Sequence, residues 1–293
     1  MRAVVLYKFS GEIQKNVPLS GLCTFRTGGT ASTVYYPNDA ESLLRLFSAE
    51  PFSVPIGNGS NVLFTDRELS LPLICTKNLR AIRKQGDLVF CECGVFLPEL
   101  AKFCLDHGLS GAEFLCGIPG TVGGGVAMNA GAFGTSVSDV LVFVRTANGT
   151  VYARDCGFSY RHSVFLDQRQ WVIEACFRFV PDERERILSR MKKYIGIRKT
   201  TQPLTYPSAG SVFRAQGGIP AWTVIDAIGM RGFCVGRAQV SEKHANFIVN
   251  LGGATSEDVL SLISLMKARA FSERKVVLSE EIRYIGDFYD SDC

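Results

Sequence analysis

The chain has 293 residues, enough for two or three domains each able to bury a core, and its 46% hydrophobic and 20% charged content excludes an intrinsically disordered protein. A formal charge of +4, not gathered into a basic tract, argues against strong nucleic-acid binding and suits a small anionic ligand. The run of about 18 apolar residues that a membrane span needs is absent and no export signal is read, so a cytoplasmic protein is expected, its ten cysteines reduced and its three histidines too few for a His-based metal centre.

In chain order, Asn38 with Glu41 three residues on predicts a capped helix through Leu43, Leu44 and Phe47. A strand over 53–56 runs directly into the loop Gly57-Asn58-Gly59-Ser60-Asn61, and short strands are expected over 73–76 and 88–93. A helix over 98–107 is closed by Gly108. Strands over 140–146 and 150–155 flank Asn148-Gly149, a dipeptide that favours a tight hairpin turn. Alternation over 171–179 predicts a half-buried strand. The charged segment 181–201 carries Ile187, Leu188, Met191, Tyr194 and Ile195 at helical spacing and reads as a surface helix connecting domains. Beyond a turn-rich stretch over 205–218, helices are expected over 221–228 and 255–271, the latter with Thr255 and Asp258 as a capping pair, around a strand at 245–250.

The segment GIPGTVGGGVAMNAGAFG, residues 117–134, holds seven glycines in eighteen residues. Such density is costly in chain entropy unless the backbone takes unusual dihedrals or a ligand lies close against it. Its glycines at 117, 120 and 123 do not have the dinucleotide-fold spacing, and no Gly-Lys pair supports a P-loop. What remains is a loop whose backbone amides hold an anionic or flat ligand. The loop 57–61 is a second candidate of the same kind, and TFRTGG, residues 24–29, is either a turn or part of the same pocket.

These three motifs, followed by GFSYRHS (157–163), TQP (201–203), PSAGSVF (207–213), AQVSEKHANF (238–247) and LSEEIR (278–283), cover nearly the whole chain. In this order and spacing they resemble the UDP-N-acetylenolpyruvoylglucosamine reductases, in the shorter branch without an inserted tyrosine-bearing loop. The resemblance implies an α+β protein: an FAD-binding fold of the vanillyl-alcohol-oxidase (PCMH) type in two lobes, 1–75 and 76–197, and a C-terminal α+β substrate-binding domain, 198–293. It implies FAD held by Gly57, Asn58, Gly59, Ser60 and Asn61 from the first loop and by Gly117, Ile118, Gly120, Thr121, Gly123, Gly124, Asn129 and Gly131 from the second.

The same resemblance implies a reductase that uses NADPH to reduce the enolpyruvyl double bond of UDP-N-acetylglucosamine-enolpyruvate, in peptidoglycan precursor synthesis, with no metal, no nucleic-acid partner and a monomeric state. Arg161 matches the group that holds the substrate carboxylate, Ser211 the proton donor, and Glu281 the acid of the site; Tyr160 and Lys199 are further substrate contacts. The active site is expected to be assembled by closure of the domains. Alternation over 278–285 sends Glu280 and Glu281 to opposite faces. Where the family usually continues Lys-Asn-Pro this chain has Arg214-Ala215-Gln216, which keeps a positive charge but loses an amide near the expected site, and where Ala-Gly-Lys is common it has Ala221-Trp222-Thr223. The rival readings are another FAD oxidoreductase of the same fold and a non-catalytic flavin- or nucleotide-sugar-binding module.

Overall fold

The computed structural model describes residues 9–168, 170–215 and 217–288. Gln216, Cys293 and the first eight residues, where an export signal was sought, lie outside the described residues. The chain divides into two compact units whose segments interleave along the sequence. One comprises the N-terminal stretch to Gln14, Val34–Asn58 and Pro72–Ile197; the other comprises Lys15–Thr33, Gly59–Leu71 and the chain from Arg198 onward.

In the first unit, Val34 and Tyr35 pair in parallel with Leu73 and Ile74, and Val54–Ile56 pairs in parallel with Leu73–Cys75. The helix Ala40–Ala49 makes the crossover that parallel pairing demands. Its cap is Asp39, one residue later than the sequence suggests. The Asp39 backbone is extended (φ −148°, ψ 163°) and its carboxylate accepts from Ser42 N at 2.7 Å, a bond that also holds its pKa below the ordinary carboxylate value. Asn38 instead accepts from Asn78 Nδ2. Leu43 and Leu46 are fully buried, whereas Leu44 is exposed.

A five-stranded antiparallel sheet forms the other part of this unit, in the order Gly149–Tyr152, Leu141–Thr146, Val172–Arg178, Leu88–Glu92, Ile82–Gln85. The strand read as half-buried is its centre, and it is buried on more than one face: Val172 and Cys176 are covered along with Ile173, Ala175 and Phe177. Cys176 pairs with Phe90 on one side and Phe143 on the other, and these two rings meet edge to face above it. The hairpin turn is one residue earlier than Asn148-Gly149, because Thr146 pairs directly with Gly149, whose φ of +120° supplies the bend. Its second strand stops at Tyr152, where a helical turn over Ala153–Asp155 begins.

The helix Leu97–Asp106 ends as expected at Gly108, which takes φ +63°. Farther on, the charged helix Arg184–Thr201 buries Ile187 and Met191 and is held by Arg190, whose guanidinium reaches the buried Glu113 at 2.8 Å and Asp182 at 2.5 Å. The boundary between the units falls within this helix, after Ile197.

In the second unit, Cys234–Val235, Ala238–Val240 and Ile248–Asn250 form an antiparallel sheet against the helix Ser256–Arg274. Thr255 and Asp258 form the expected capping box, and Asp66 adds to it by accepting from Ser256 N and Glu257 N at 3.0 and 2.9 Å. Val62–Phe64 pairs in parallel with Arg283–Ile285, and Asn250 Nδ2 donates to Phe25 O. These bonds tie two early segments to the C-terminal part of the chain, so the contiguous segments 1–75, 76–197 and 198–293 do not coincide with the compact units. Local sequence cannot register such long-range pairings. No disulfide joins the nine described cysteines, and no helix among the described residues is long and apolar enough to cross a membrane.

Candidate active site

Two of the glycine-rich loops meet in the first unit. Asn58 Nδ2 donates to Pro119 O at 2.6 Å, and a Cβ on Gly57 would lie 2.1 Å from Thr121 Oγ1, so only glycine permits this approach. Thr121 is 1% exposed and its hydroxyl has no hydrogen-bond partner. A buried, unbonded hydroxyl is costly unless something else satisfies it. The short helix Val122–Ala127 follows directly.

The glycines of this segment divide by purpose. Gly123 is packing: its N–H donates to Cys93 O at 2.8 Å, and a Cβ would meet Cys93 Cβ at 3.0 Å. Val122 N is likewise taken by Val95 O, so the run of ligand-facing amides expected from the sequence is interrupted at these two positions. Gly131 faces its hairpin partner Ser136. Gly124 differs, being exposed with nothing nearer to a built Cβ than Thr121 Oγ1 at 3.8 Å. No packing within the protein demands glycine there.

Arg161 lies at the tip of the tight turn closed by the bridge between Ser159 and His162, with φ +55°. A bulky residue adopts that region only where its surroundings impose it. Asn129, itself at φ +42°, braces the turn: its Nδ2 donates to Ser159 O and its Oδ1 accepts from Ser138 N, both at 3.0 Å. Its amide is thus engaged at both ends by protein. Ser163, fully buried, donates to Ala127 O and ties the turn to the glycine-rich helix. Arg161 Nη2 donates to Gly131 O at 2.9 Å, and its guanidinium stands 5.1 Å from the ring of Tyr160, which is exposed.

The second unit gathers Asn61, Ser211 and Glu281. Ser211 follows Gly210, which takes φ +77°. Phe213 pairs with Glu280, with Glu281 N donating to Val212 O at 2.7 Å and Arg214 N to Ser279 O at 2.9 Å. On the opposite edge Ser211 pairs with Phe247, and Val212 N donates to Asn246 O. Asn61 reaches the same place, donating from Nδ2 to Glu281 O while its carbonyl accepts from Arg283 N. Gly59, where a Cβ would lie 2.1 Å from Leu22 O, accepts through its carbonyl from Thr24 N, which brings the TFRTGG segment against this loop. Glu280 is drawn off to Lys267 at 2.7 Å, distinguishing it from Glu281.

Lys199 is exposed near the helix end, its carbonyl accepting from Lys243 Nζ. His244 accepts from Asn246 N through Nδ1, so its remaining proton sits on Nε2; burial and the Arg231 charge lower its pKa. Asn246 was not singled out by sequence reasoning. It lay inside a quoted motif, but an asparagine's partners are invisible without the pairing of segments 33 residues apart.

Comparison with known proteins bears on both units. A family model described as FAD binding domain matches residues 34–154, and one described as UDP-N-acetylenolpyruvoylglucosamine reductase, C-terminal domain, matches residues 202–285. The UDP-N-acetylenolpyruvoylglucosamine reductase of Carboxydothermus hydrogenoformans is 40% identical over 291 residues, covering 96% of each chain. The chain belongs to the UDP-N-acetylenolpyruvoylglucosamine reductase family. The reductase of Caldicellulosiruptor bescii is 36% identical over 94% of this chain and 92% of its own. The crystal structure of the Thermus caldophilus enzyme superposes with a TM-score of 0.82 at 31% identity, covering 95% of this chain and all of that one. For this family member, the unpartnered Thr121 hydroxyl, the open space at Gly124 and the close-drawn loops 57–58 and 117–121 fit the FAD that the domain match implies.

Proposed function

We propose that this protein is an NADPH-dependent reductase of UDP-N-acetylglucosamine-enolpyruvate that yields UDP-N-acetylmuramate, a precursor of peptidoglycan. The observation that carries the reading is 40% identity to a curated reductase over 96% of the chain, and the sequence motifs assign the chemistry to Arg161, Ser211 and Glu281. FAD held by Thr121 and the backbone at Gly124 would supply hydride chemistry between NADPH and the enolpyruvyl double bond.

The chain's own residues manage the charge that follows. Hydride addition leaves negative charge on the neighbouring carbon, shared with its carboxylate. Arg161 presents a planar fork suited to that carboxylate, held in a braced turn so that little reorganisation accompanies the reaction; such a preorganised group typically contributes about 3–4 kcal/mol to the transition state. Ser211 delivers a proton from its hydroxyl to the charged carbon and recovers one from solvent. Serine is a weak acid, but the acceptor is a strong base, so placement decides the rate. Glu281, drawn beside the Ser211 segment by the bond from its N–H to Val212 O, is the acid group of the site. Thr121 and the backbone at Gly124 hold the cofactor, and Lys199 and Tyr160 contact the nucleotide sugar. The reading places the enzyme in the cytoplasm as a monomer.

The test is a pair of half-reactions followed anaerobically. NADPH bleaches the yellow holoenzyme, and the enolpyruvyl sugar nucleotide then restores the colour with one equivalent of product. Purified protein that takes up no FAD, or a bleached enzyme indifferent to the sugar nucleotide, would refute the assignment.

A further inference from the structure

Residues 211–214 are too short and too sharply entered, through Gly210 at φ +77°, to hold their place as an ordinary strand. One edge is secured by residues 279–281 through the bonds from Glu281 N and Arg214 N. The other edge faces Asn246, where the chain has just left a tight turn: Ser241 Oγ accepts from Lys243 N and His244 N, and Phe247 N donates to His244 O. Past the Val212 N to Asn246 O bond, no backbone group among the described residues bonds Phe213 N or O. The side chain of Asn246 takes that role. Its Oδ1 accepts from Phe213 N at 3.0 Å and its Nδ2 donates to Phe213 O at 2.8 Å, so one residue that is 5% exposed satisfies three backbone groups immediately following Ser211.

We propose that Asn246 is a positioning residue for Ser211, its amide standing in for a missing strand and fixing the peptide from which the serine hydroxyl is presented. The proposal rests on the reading of Ser211 as proton donor. Asparagine is specific to the task. Aspartate has the same shape but sets a second acceptor against Phe213 O, and glutamine carries the amide one methylene too far. Because the site is buried, no water compensates for a lost bond.

The test uses the holoenzyme and separates the two half-reactions. Asn246→Asp is expected to be bleached by NADPH within about twofold of the parent rate, while recolouring by the enolpyruvyl sugar nucleotide slows by roughly 10- to 100-fold, the cost of a small misplacement of a reacting group. In a Ser211→Ala background the same substitution is expected to add nothing, since its effect passes through the serine. Unchanged recolouring in the single variant, or a full additional loss in the double variant, overturns the proposal. Amide exchange on the unaltered holoenzyme gives a check that does not depend on a variant folding: Phe213 N–H should be as protected as the amides of Ile248–Asn250, and exchange at open-loop rates would sink the idea. If the unaltered enzyme is not recoloured by the sugar nucleotide, the reaction itself has been misread and the proposal falls with it; normal recolouring with an indifferent Asn246→Asp confines the failure to Asn246.

Discussion

The loop around Thr121 and the segment around Ser211 solve opposite problems. At the first, loops of the protein come together so closely that a side chain on Gly57 is excluded, yet the Thr121 hydroxyl is left unbonded and the face at Gly124 is open. At the second, successive backbone groups from Val212 to Arg214 are bonded, three of them by a single asparagine. A surface that receives a large cofactor keeps its bonding capacity unspent. The Ser211 hydroxyl, the proposed proton donor, is instead presented from a segment whose following backbone groups are all bonded.

Substitutions sharpen this contrast, beginning where the effect is greatest. Ser211→Ala should lower the rate of recolouring by about 10²- to 10⁴-fold, the usual range for a lost general acid, while bleaching by NADPH persists; equal turnover would remove the serine from the mechanism. Arg161→Lys keeps the charge but loses the fork that reaches Gly131 O, and steady-state kinetics should show a fall in kcat/KM for the sugar nucleotide of roughly 10- to 100-fold. Gly124→Ala should strengthen the apoprotein, by about 0.5–1 kcal/mol as for alanine in any helix interior, yet weaken FAD binding about tenfold by titration. An apoprotein destabilised by this change would mean the glycine serves packing after all.

Thr121→Val should follow the same pattern more weakly, leaving the apoprotein melting temperature unchanged or higher because a buried unbonded hydroxyl is removed, with a few-fold loss of FAD affinity. The smallest effect concerns His244. Its folded-state pKa lies below the ordinary 6.5 because burial disfavours the charged ring and Arg231 repels it. The unfolded chain therefore binds more protons in the interval from that lowered value up to about 6.5, so stability is fully present above 6.5 and is lost as pH falls through the interval. Melting curves of His244→Asn should be flatter over that range than those of the parent, and parallel curves would show that the ring does not titrate on unfolding.

Much of this was legible in the sequence because it depends on neighbours along the chain. The Thr255 cap and the helix stop at Gly108 follow from short-range bonding, and the long charged helix from the spacing of Ile187 and Met191. Errors arose where tertiary contacts chose among local options. Asp39 displaced Asn38 as a cap because Asn38 is engaged by Asn78, and Cys176 is buried because two phenyl rings from neighbouring strands close over it. In the glycine-rich segment the sequence showed that backbone proximity mattered but not to what: Gly123 and Gly131 answer to packing, and Gly124 does not.

By itself the sequence determined the chemical inventory, the family and most helices, since motif order and local periodicity survive without coordinates. Only the tertiary structure decided that segments 15–33 and 59–71 fold with the C-terminal part of the chain, that Glu280 is paired away from Glu281, and that Asn246 holds the backbone beside Ser211. Those decisions rest on hydrogen bonds between residues far apart in the chain, where geometry selects one partner among many of the same chemical type.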